Sequence, residues 1–292
     1  MAKTWARLAI ALFGLGAATS ASAAQPPTWT QPVKAFRIAP HIYYVGSKGL
    51  SAYLITSHDG AILIDGTLEE NASLVEHNIE AVGVRLKSVK WILSDHAHND
   101  HVGALARIKM DTGARFAASA GDQEALERGM PRGDTDYDPT DFHFPPIKVD
   151  RVIQDGQSVA VGHAVLTAHL TPGHTPGCTT WTTTVSNGAR RLRVLFLCSI
   201  TVAGNKLVGN RAYPTIVADY ENTFAKLSRM KADIVLTSHP EVADVLGREA
   251  RVESGDRRAF IDPTALPAIV AQSKQDFEAT LAEARHTQRQ TP

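Results

Sequence analysis

The sequence predicts an α+β fold in which two sheets pack face to face with helices on their outer sides. Short apolar runs, punctuated by glycine, proline and aspartate, give way to segments with helical spacing. This β-then-α grammar occurs twice along the 292 residues. No linker separates the halves and no short-period repeat is present, so both are read as one domain covering residues 24–292.

The first residues stand apart from that pattern. Lys3 and Arg7 give a positive start, Leu8 to Ala18 is an apolar stretch, and Ala21-Ser22-Ala23 has the small residues of a cleavage site. The stretch is too short to span a bilayer. Residues 1–23 are therefore read as a secretory signal cut after Ala23, and the mature chain is expected in the periplasm. No other segment is long and apolar enough to cross a membrane.

After Pro26-Pro27, the runs His41–Val45, Leu50–Thr56 and Ala61–Ile64 read as a meander turned by Gly46, Gly49 and Asp59-Gly60. Leu68, Leu74, Ile79 and Val82 share one helical face, and Gly83 stops it, which predicts a helix over 68–82. Val89-Lys90-Trp91-Ile92-Leu93 has the make-up of a buried strand. A helix over 103–110, a strand at 116–118 and a helix over 122–128 follow. Residues 129–148, with Gly133-Asp134-Thr135-Asp136 and Pro145-Pro146, are the most loop-like, and long loops of this kind usually carry function. In the second half, strands are predicted near 159–161, 164–169, 179–184 and 192–197. A helix over 220–230, a strand at 234–236 and a helix over 267–285 complete the series.

An apolar content of 43% supports an ordinary core. Acidic and basic residues balance at 30 each, which gives no electrostatic case for nucleic acid or an anionic membrane and argues for a small-molecule substrate. Cys178 and Cys198 are an even pair, and in an exported chain a disulfide between them is favoured. Two buried thiols, or Cys198 as a metal ligand, are the competing readings.

The chemistry concentrates at His96-Ala97-His98-Asn99-Asp100-His101, directly after the 89–93 strand. Imidazole nitrogen and carboxylate oxygen are the donors that borderline cations such as Zn²⁺ prefer. His96 and His98, two residues apart, cannot share a helix face, so a turn must gather them, while Asp100 and His101 suit a second ion. Pro172-Gly173-His174-Thr175-Pro176-Gly177 brackets one imidazole with residues that stiffen and sharpen a turn, making His174 the third donor of the His96/His98 set. His239 ends the apolar run 234–238 and completes a set with Asp100 and His101. Three donors per ion leave open positions for water or substrate, as in catalytic rather than structural sites. His41, His58, His77, His143, His163, His169 and His286 read as surface or strand residues and receive no role.

These stretches resemble the metallo-β-lactamase fold superfamily, whose motif is His-x-His-x-Asp-His followed by distant single histidines. Within it, the chain is similar to the third subclass of class B β-lactamases. The likeness rests on Gly49-Leu50-Ser51-Ala52-Tyr53-Leu54-Ile55, the 96–101 cluster, Thr171 to Gly177, Leu207-Val208-Gly209-Asn210 with Tyr213-Pro214, and Ser238-His239-Pro240. It implies a four-layer αβ/βα sandwich and two Zn²⁺ per chain, one on His96, His98 and His174, the other on Asp100, His101 and His239. It further implies that Ser199 and Thr201 bind the substrate carboxylate. Ser199 stands where other subclasses place a cysteine ligand.

The implied activity is opening of the lactam ring of penicillins, cephalosporins and carbapenems by a hydroxide that bridges the zinc ions. Asp100 would orient the nucleophile and relay its proton, and antibiotic resistance would follow. A monomer is expected. Departures from the family pattern are Asn99, where relatives often carry an apolar residue, Ala104 in place of a glycine, and the absence of a second cysteine pair. Two rivals are a thioester or lactone hydrolase of the glyoxalase II type and a non-catalytic periplasmic zinc-binding protein. The former usually has a metal-bridging aspartate where this chain reads Leu195-Phe196-Leu197-Cys198-Ser199, without a carboxylate.

Overall fold

Two sheets lie against each other in a computed structural model that describes residues 25–131, 135–136 and 142–290. The leader expected at 1–23 and part of the 129–148 loop lie outside the described residues. The first sheet runs in chain order: β1 (Phe36–Ala39), β2 (Ile42–Tyr44), β3 (Tyr53–Ser57), β4 (Gly60–Ile64), β5 (Val89–Leu93), β6 (Arg115–Ser119) and β7 (Arg151–Ile153). Neighbours from β1 to β4 are antiparallel, with two-residue turns between β1 and β2 and between β3 and β4 and a longer loop over 45–52 between β2 and β3, whereas β4 to β7 are parallel. Parallel neighbours need crossovers, and helices supply them. These are α1 (Ala72–Ala81), the single turn α2 (Asn99–Val102) with α3 (Leu105–Thr112), and α4 (Ala120–Arg128).

The second sheet comprises β8 (Ser158–Val161), β9 (Ala164–Leu170), β10 (Thr179–Asn187), β11 (Arg190–Leu197) and β12 (Ile234–Thr237) in the order β12-β11-β10-β9-β8. Only β11 and β12 are parallel, bridged by α5 (Ile216–Leu227). The chain then forms α6 (Val245–Glu253) and α7 (Ala265–Gln290).

Side-chain alternation explains the layering, because successive residues of a strand point to opposite faces. Ile62 and Ile64 of β4 face the middle of the sandwich with Val194 and Phe196 of β11 and Leu236 of β12. Leu63 and Ile92 face outward onto Val75 and Ile79 of α1 and onto Leu105 and Ile108 of α3. On the far side, Leu195, Leu197 and Val235 meet Tyr220 and Phe224 of α5 and Val270 and Phe277 of α7. Each fully buried Ile, Leu or Phe contributes roughly 1.5–3 kcal/mol. The arrangement is the predicted one: two sheets inside, helices outside.

Trp181 is fully buried in the middle layer, and its indole Nε1 donates to the carbonyl of Ser94 at 3.1 Å. The central core is thereby tied to the segment that begins the histidine cluster. Cys178 and Cys198 form a disulfide, which excludes Cys198 as a ligand. Closing a loop of this length contributes roughly 3 kcal/mol in the chain-entropy treatment.

Several boundaries differ from expectation. The helix predicted over 68–82 begins later, after a 3₁₀ turn at Glu69–Asn71, and the one predicted over 103–110 becomes α2 and α3. Asp100 and His101 therefore sit in a helical turn rather than in a loop. β1, β7 and α6 were not among the predicted elements. No helix among the described residues is long and apolar enough to cross a membrane.

Candidate metal centre

Every donor of the sequence-derived sets follows the carboxyl end of a strand, on one edge of the sandwich. β5 leads to His96, His98, Asp100 and His101, β9 to His174, β11 to Ser199 and Thr201, and β12 to His239. Carboxyl ends of parallel strands open into the crevice where ligands of α/β sheets bind, because the chain leaves the sheet there with free loop geometry.

The loop after β5 is pinned from several sides. The amide of Asp95 donates to Asp65 Oδ1 at 2.9 Å, and the carbonyl of Asp95 accepts from Thr179 N at 2.8 Å. The carbonyl of His101 accepts from the amides of Gly66 and Thr67 at 2.8 and 3.1 Å. The His174 loop is held by Tyr220, whose ring would lie 2.7 Å from a Cβ at Gly173; with φ of +142°, that position accommodates glycine alone. Behind His239, Tyr53 Oη donates to the carbonyl of Thr237 at 2.7 Å, and Ser51 N donates to that of Ser238 at 2.9 Å.

His96, His98 and His174 bring one ligand atom each to within 4.8 Å of the others, and Asp100, His101 and His239 do the same. In the first trio, His174 Nδ1 lies 2.8 Å from the carbonyl oxygen of Thr201, which can only accept, so Nδ1 carries the proton. His96 Nδ1 lies 2.8 Å from Asp95 Oδ1, and burial with a well-ionised Asp95 imposes the same tautomer. Both rings thus turn an Nε2 lone pair inward. Those two atoms are 3.1 Å apart, and His98 Nδ1 is 3.1 Å from His174 Nε2. Burial, aided by the neighbouring imidazoles, depresses His96, His98 and His174 to about 3, so all three are neutral at pH 7, and with the protons of His96 and His174 on Nδ1 none lies between their Nε2 atoms. Facing lone pairs at this distance repel unless a cation lies between them. A backbone carbonyl or carboxylate behind a ligating imidazole is also how metal-site histidines are oriented.

In the second trio, Asp100 Oδ2 lies 3.1 Å from His101 Nε2 and 3.3 Å from His239 Nε2. Burial alone would raise the Asp100 carboxyl, but His101 and His239 hold it well below the usual carboxylate range. Neither ring nitrogen of buried His101 makes an aligned hydrogen bond: Nε2 has only the Asp100 carboxylate contact at 3.1 Å, and Nδ1 has no hydrogen-bond partner. An orphaned buried imidazole is costly, and a metal ion would satisfy it. Both trios therefore fit divalent cations with a preference for nitrogen and oxygen.

All donors of the two trios except fully buried His96 line a cleft of about 230 Å³, together with Trp29, Asn99, Phe142, Ser199 and Thr201. Ser199 Oγ and Thr201 Oγ1 are 3.2 Å apart, and the Trp29 ring is 5.7 Å from that of His239. The groove between α5 and α7 is larger, about 720 Å³, but its lining is mainly apolar and lacks a converging donor set. His169 stays outside the cleft, its Nε2 2.8 Å from Thr182 Oγ1.

Asp122, in the first turn of α4, is the residue that sequence reasoning missed. Its Oδ2 accepts from Ala97 N at 3.0 Å and from Thr175 Oγ1 at 2.9 Å, and its Oδ1 accepts from Gly177 N at 2.9 Å. One carboxylate thus clamps the loop carrying His96 and His98 to the loop carrying His174. Burial pushes it up to about 6 against those three donors, which leaves it ionised at neutral pH. Asp122→Asn would turn an amide NH₂ toward an N–H or O–H donor. The expected loss is about 1.5–3 kcal/mol in urea unfolding, with a parallel loss of metal retention. An unchanged unfolding midpoint would remove this role.

The Metallo-beta-lactamase superfamily model matches residues 48–239. The crystal structure of a subclass B3 metallo-beta-lactamase of Bradyrhizobium japonicum superposes with a TM-score of 0.85 at 41% identity, covering 89% of this chain and 98% of that one. A native metallo-beta-lactamase of Legionella gormanii gives 0.84 at 35% identity, over 88% and 98% of the two chains. The hydroxyacylglutathione hydrolase of Acidiphilium cryptum is 27% identical over 127 residues, 44% of this chain and 42% of that protein. The match spans about two fifths of the length of such curated relatives.

Proposed function

The chain belongs to the metallo-beta-lactamase superfamily, alongside the subclass B3 enzymes, and is a hydrolase whose fold implies a metal cofactor; from that premise we propose that it opens β-lactam rings using two zinc ions. The observation that carries this reading is the pair of inward-facing Nε2 lone pairs of His96 and His174, with the Asp100 trio beside them in one cleft. His96, His98 and His174 would hold one ion, and Asp100, His101 and His239 the other. The chemistry such ions would supply is activation of a water as nucleophile near neutral pH and polarisation of the substrate carbonyl.

The protein's own groups account for the rest. Asp100, ionised and at the centre of its trio, orients the nucleophile and passes its proton to the departing lactam nitrogen. Ser199 and Thr201 present two hydroxyls 3.2 Å apart, a spacing suited to the two oxygens of the substrate carboxylate. Trp29 and Phe142 offer apolar walls for substituents on the ring. With a metal-supplied nucleophile, no covalent enzyme intermediate is required. Penicillins, cephalosporins and carbapenems are the proposed substrates, and resistance of the host the consequence. The residue 1–23 pattern supports export to the periplasm, where these drugs act.

The matches to hydroxyacylglutathione hydrolases favour a second reading, thioester hydrolysis on the same centre. Against it, β11 is followed by disulfide-bonded Cys198 and then Ser199, with no carboxylate there to bridge two ions. Purified protein is assayed with a carbapenem and with a glutathione thioester, each with and without chelator. Carbapenem turnover that the chelator abolishes is expected. Brisk thioester cleavage with no lactam turnover would transfer the protein to the second reading.

A further inference from the structure

Three two-residue hairpin turns at the opposite end of the sandwich each carry a histidine that the cleft does not use. They are Pro40-His41 between β1 and β2, His58-Asp59 between β3 and β4, and Gly162-His163 between β8 and β9. This end is remote from the cleft. β4 starts beside Asp59 and runs to Asp65 at the cleft, and β9 starts beside His163 and leads to His174.

The turns are interleaved across the two sheets. Gly162 has φ of +56°, and a Cβ there would lie 2.5 Å from Asp59 Oδ2 and 2.8 Å from Ser57 Oγ. A side chain at 162 would have to push the Asp59 and Ser57 side chains aside, so glycine favours the nesting of the β8–β9 turn on the β3–β4 turn. The carbonyl of His41 accepts from Thr56 N at 2.9 Å, which fixes the third turn to the same strand pair.

As a result the imidazoles meet. His41 and His163 have ring centroids 4.8 Å apart with planes at 70°. The corresponding figures are 4.7 Å and 82° for His96 and His98, and 4.9 Å and 85° for His101 and His239. His41 and His163 thus have nearly the ring spacing of the cleft's pairs, but the ligand atoms of His41, His58, Asp59 and His163 are not gathered within 4.8 Å as those of the cleft trios are, so closing on an ion requires these exposed side chains to rotate. His58 lies 6.2 Å from His163 with its ring nearly parallel, at 10°, and its Nε2 is 3.0 Å from Asp59 Oδ1. Its side chain is 77% exposed, so rotation toward the other two rings displaces no packed group. Asp59, 51% exposed, adds a carboxylate oxygen beside it. Two or three imidazoles with one carboxylate is a donor set for zinc and its first-row neighbours, not for magnesium or calcium.

We propose that His41, His58 and His163, with Asp59, form a surface binding site for a borderline divalent cation, Zn²⁺ being the one tested, at the end of the sandwich away from the catalytic cleft. Zinc uptake by the full chain, followed by equilibrium dialysis and metal analysis over a range of free zinc, reads it out. The test variant combines His163→Ala with His41→Asn. Asparagine is chosen because His41 has φ of +66°, a left-handed conformation that asparagine tolerates and alanine resists.

The wild-type chain is expected to bind one more equivalent than this double variant, and His58→Ala is expected to weaken that equivalent. Hydrolysis by all three proteins stays at the wild-type level, since no substituted residue reaches the cleft. Equal zinc stoichiometry in wild type and double variant overturns the site. Unchanged affinity in His58→Ala overturns the assignment of its third arm. The readout is a difference between chains that share the same cleft, so it holds whatever reaction the cleft performs.

Discussion

Asp100→Ala is expected to lower turnover by roughly 10²–10⁴-fold and to lose one of the two equivalents of metal in the cleft. Asp100 Oδ2 lies within 3.3 Å of both His101 Nε2 and His239 Nε2, so its removal takes away the centre of that trio. It also removes the proposed proton relay to the leaving nitrogen. The trio of His96, His98 and His174 shares no donor with it and keeps its ion. Metal content by mass spectrometry and steady-state rates on a carbapenem check both halves. Asp100→Asn, which keeps the volume but loses the charge, separates packing from chemistry: it is expected to behave like the alanine variant in rate while unfolding closer to wild type. Near-normal turnover in Asp100→Ala, with both equivalents retained, would overturn the assigned role.

Stripping the metal is expected to abolish hydrolysis and to lower the unfolding temperature, both restored by zinc. Without a cation, the facing lone pairs of His96 and His174 repel, and buried His101 makes no aligned hydrogen bond through either ring nitrogen. Binding to the folded state alone stabilises it by about 2.7 kcal/mol at a hundredfold excess of ligand over its dissociation constant. For a domain of this size, that corresponds to a rise of roughly 5–10 °C. The shift grows with free zinc concentration, as linkage requires. Calorimetry of chelator-treated and zinc-restored protein measures it. An unfolding temperature that does not change on verified metal removal would mean that the trios do not bind metal in the native state.

The layered architecture was legible because β4, β5 and β11 are long enough to show their make-up and are bounded by turns. β1 and β7 were not: they have only four and three residues, too few for alternation to register, and each lies at the edge of its sheet. α6 is nine residues long, buries only Val245, contains Gly247, and starts after Asp244 in a left-handed conformation, so neither a long apolar face nor a usual cap announces it. The four-residue α2 is shorter than any period that could reveal it.

At the site, the metal-type donors stood out because imidazoles are rare and sit at strand ends. The groups that hold them did not. An aspartate in the first turn of a helix is commonplace, since it complements the helix dipole, and Asp122 reads as nothing more. Its partners lie 25, 53 and 55 residues away along the chain, and only the fold reveals them. The His41, His58 and His163 turns illustrate the same limit, because their neighbourhood depends on how the two sheets face each other.

The most direct measurement is anomalous diffraction at the zinc edge from crystals of the zinc-loaded protein. Two peaks are predicted in the cleft, one enclosed by His96, His98 and His174 and the other by Asp100, His101 and His239. A cleft with no peak, or with ions held by other side chains while either trio stands apart, would contradict the account.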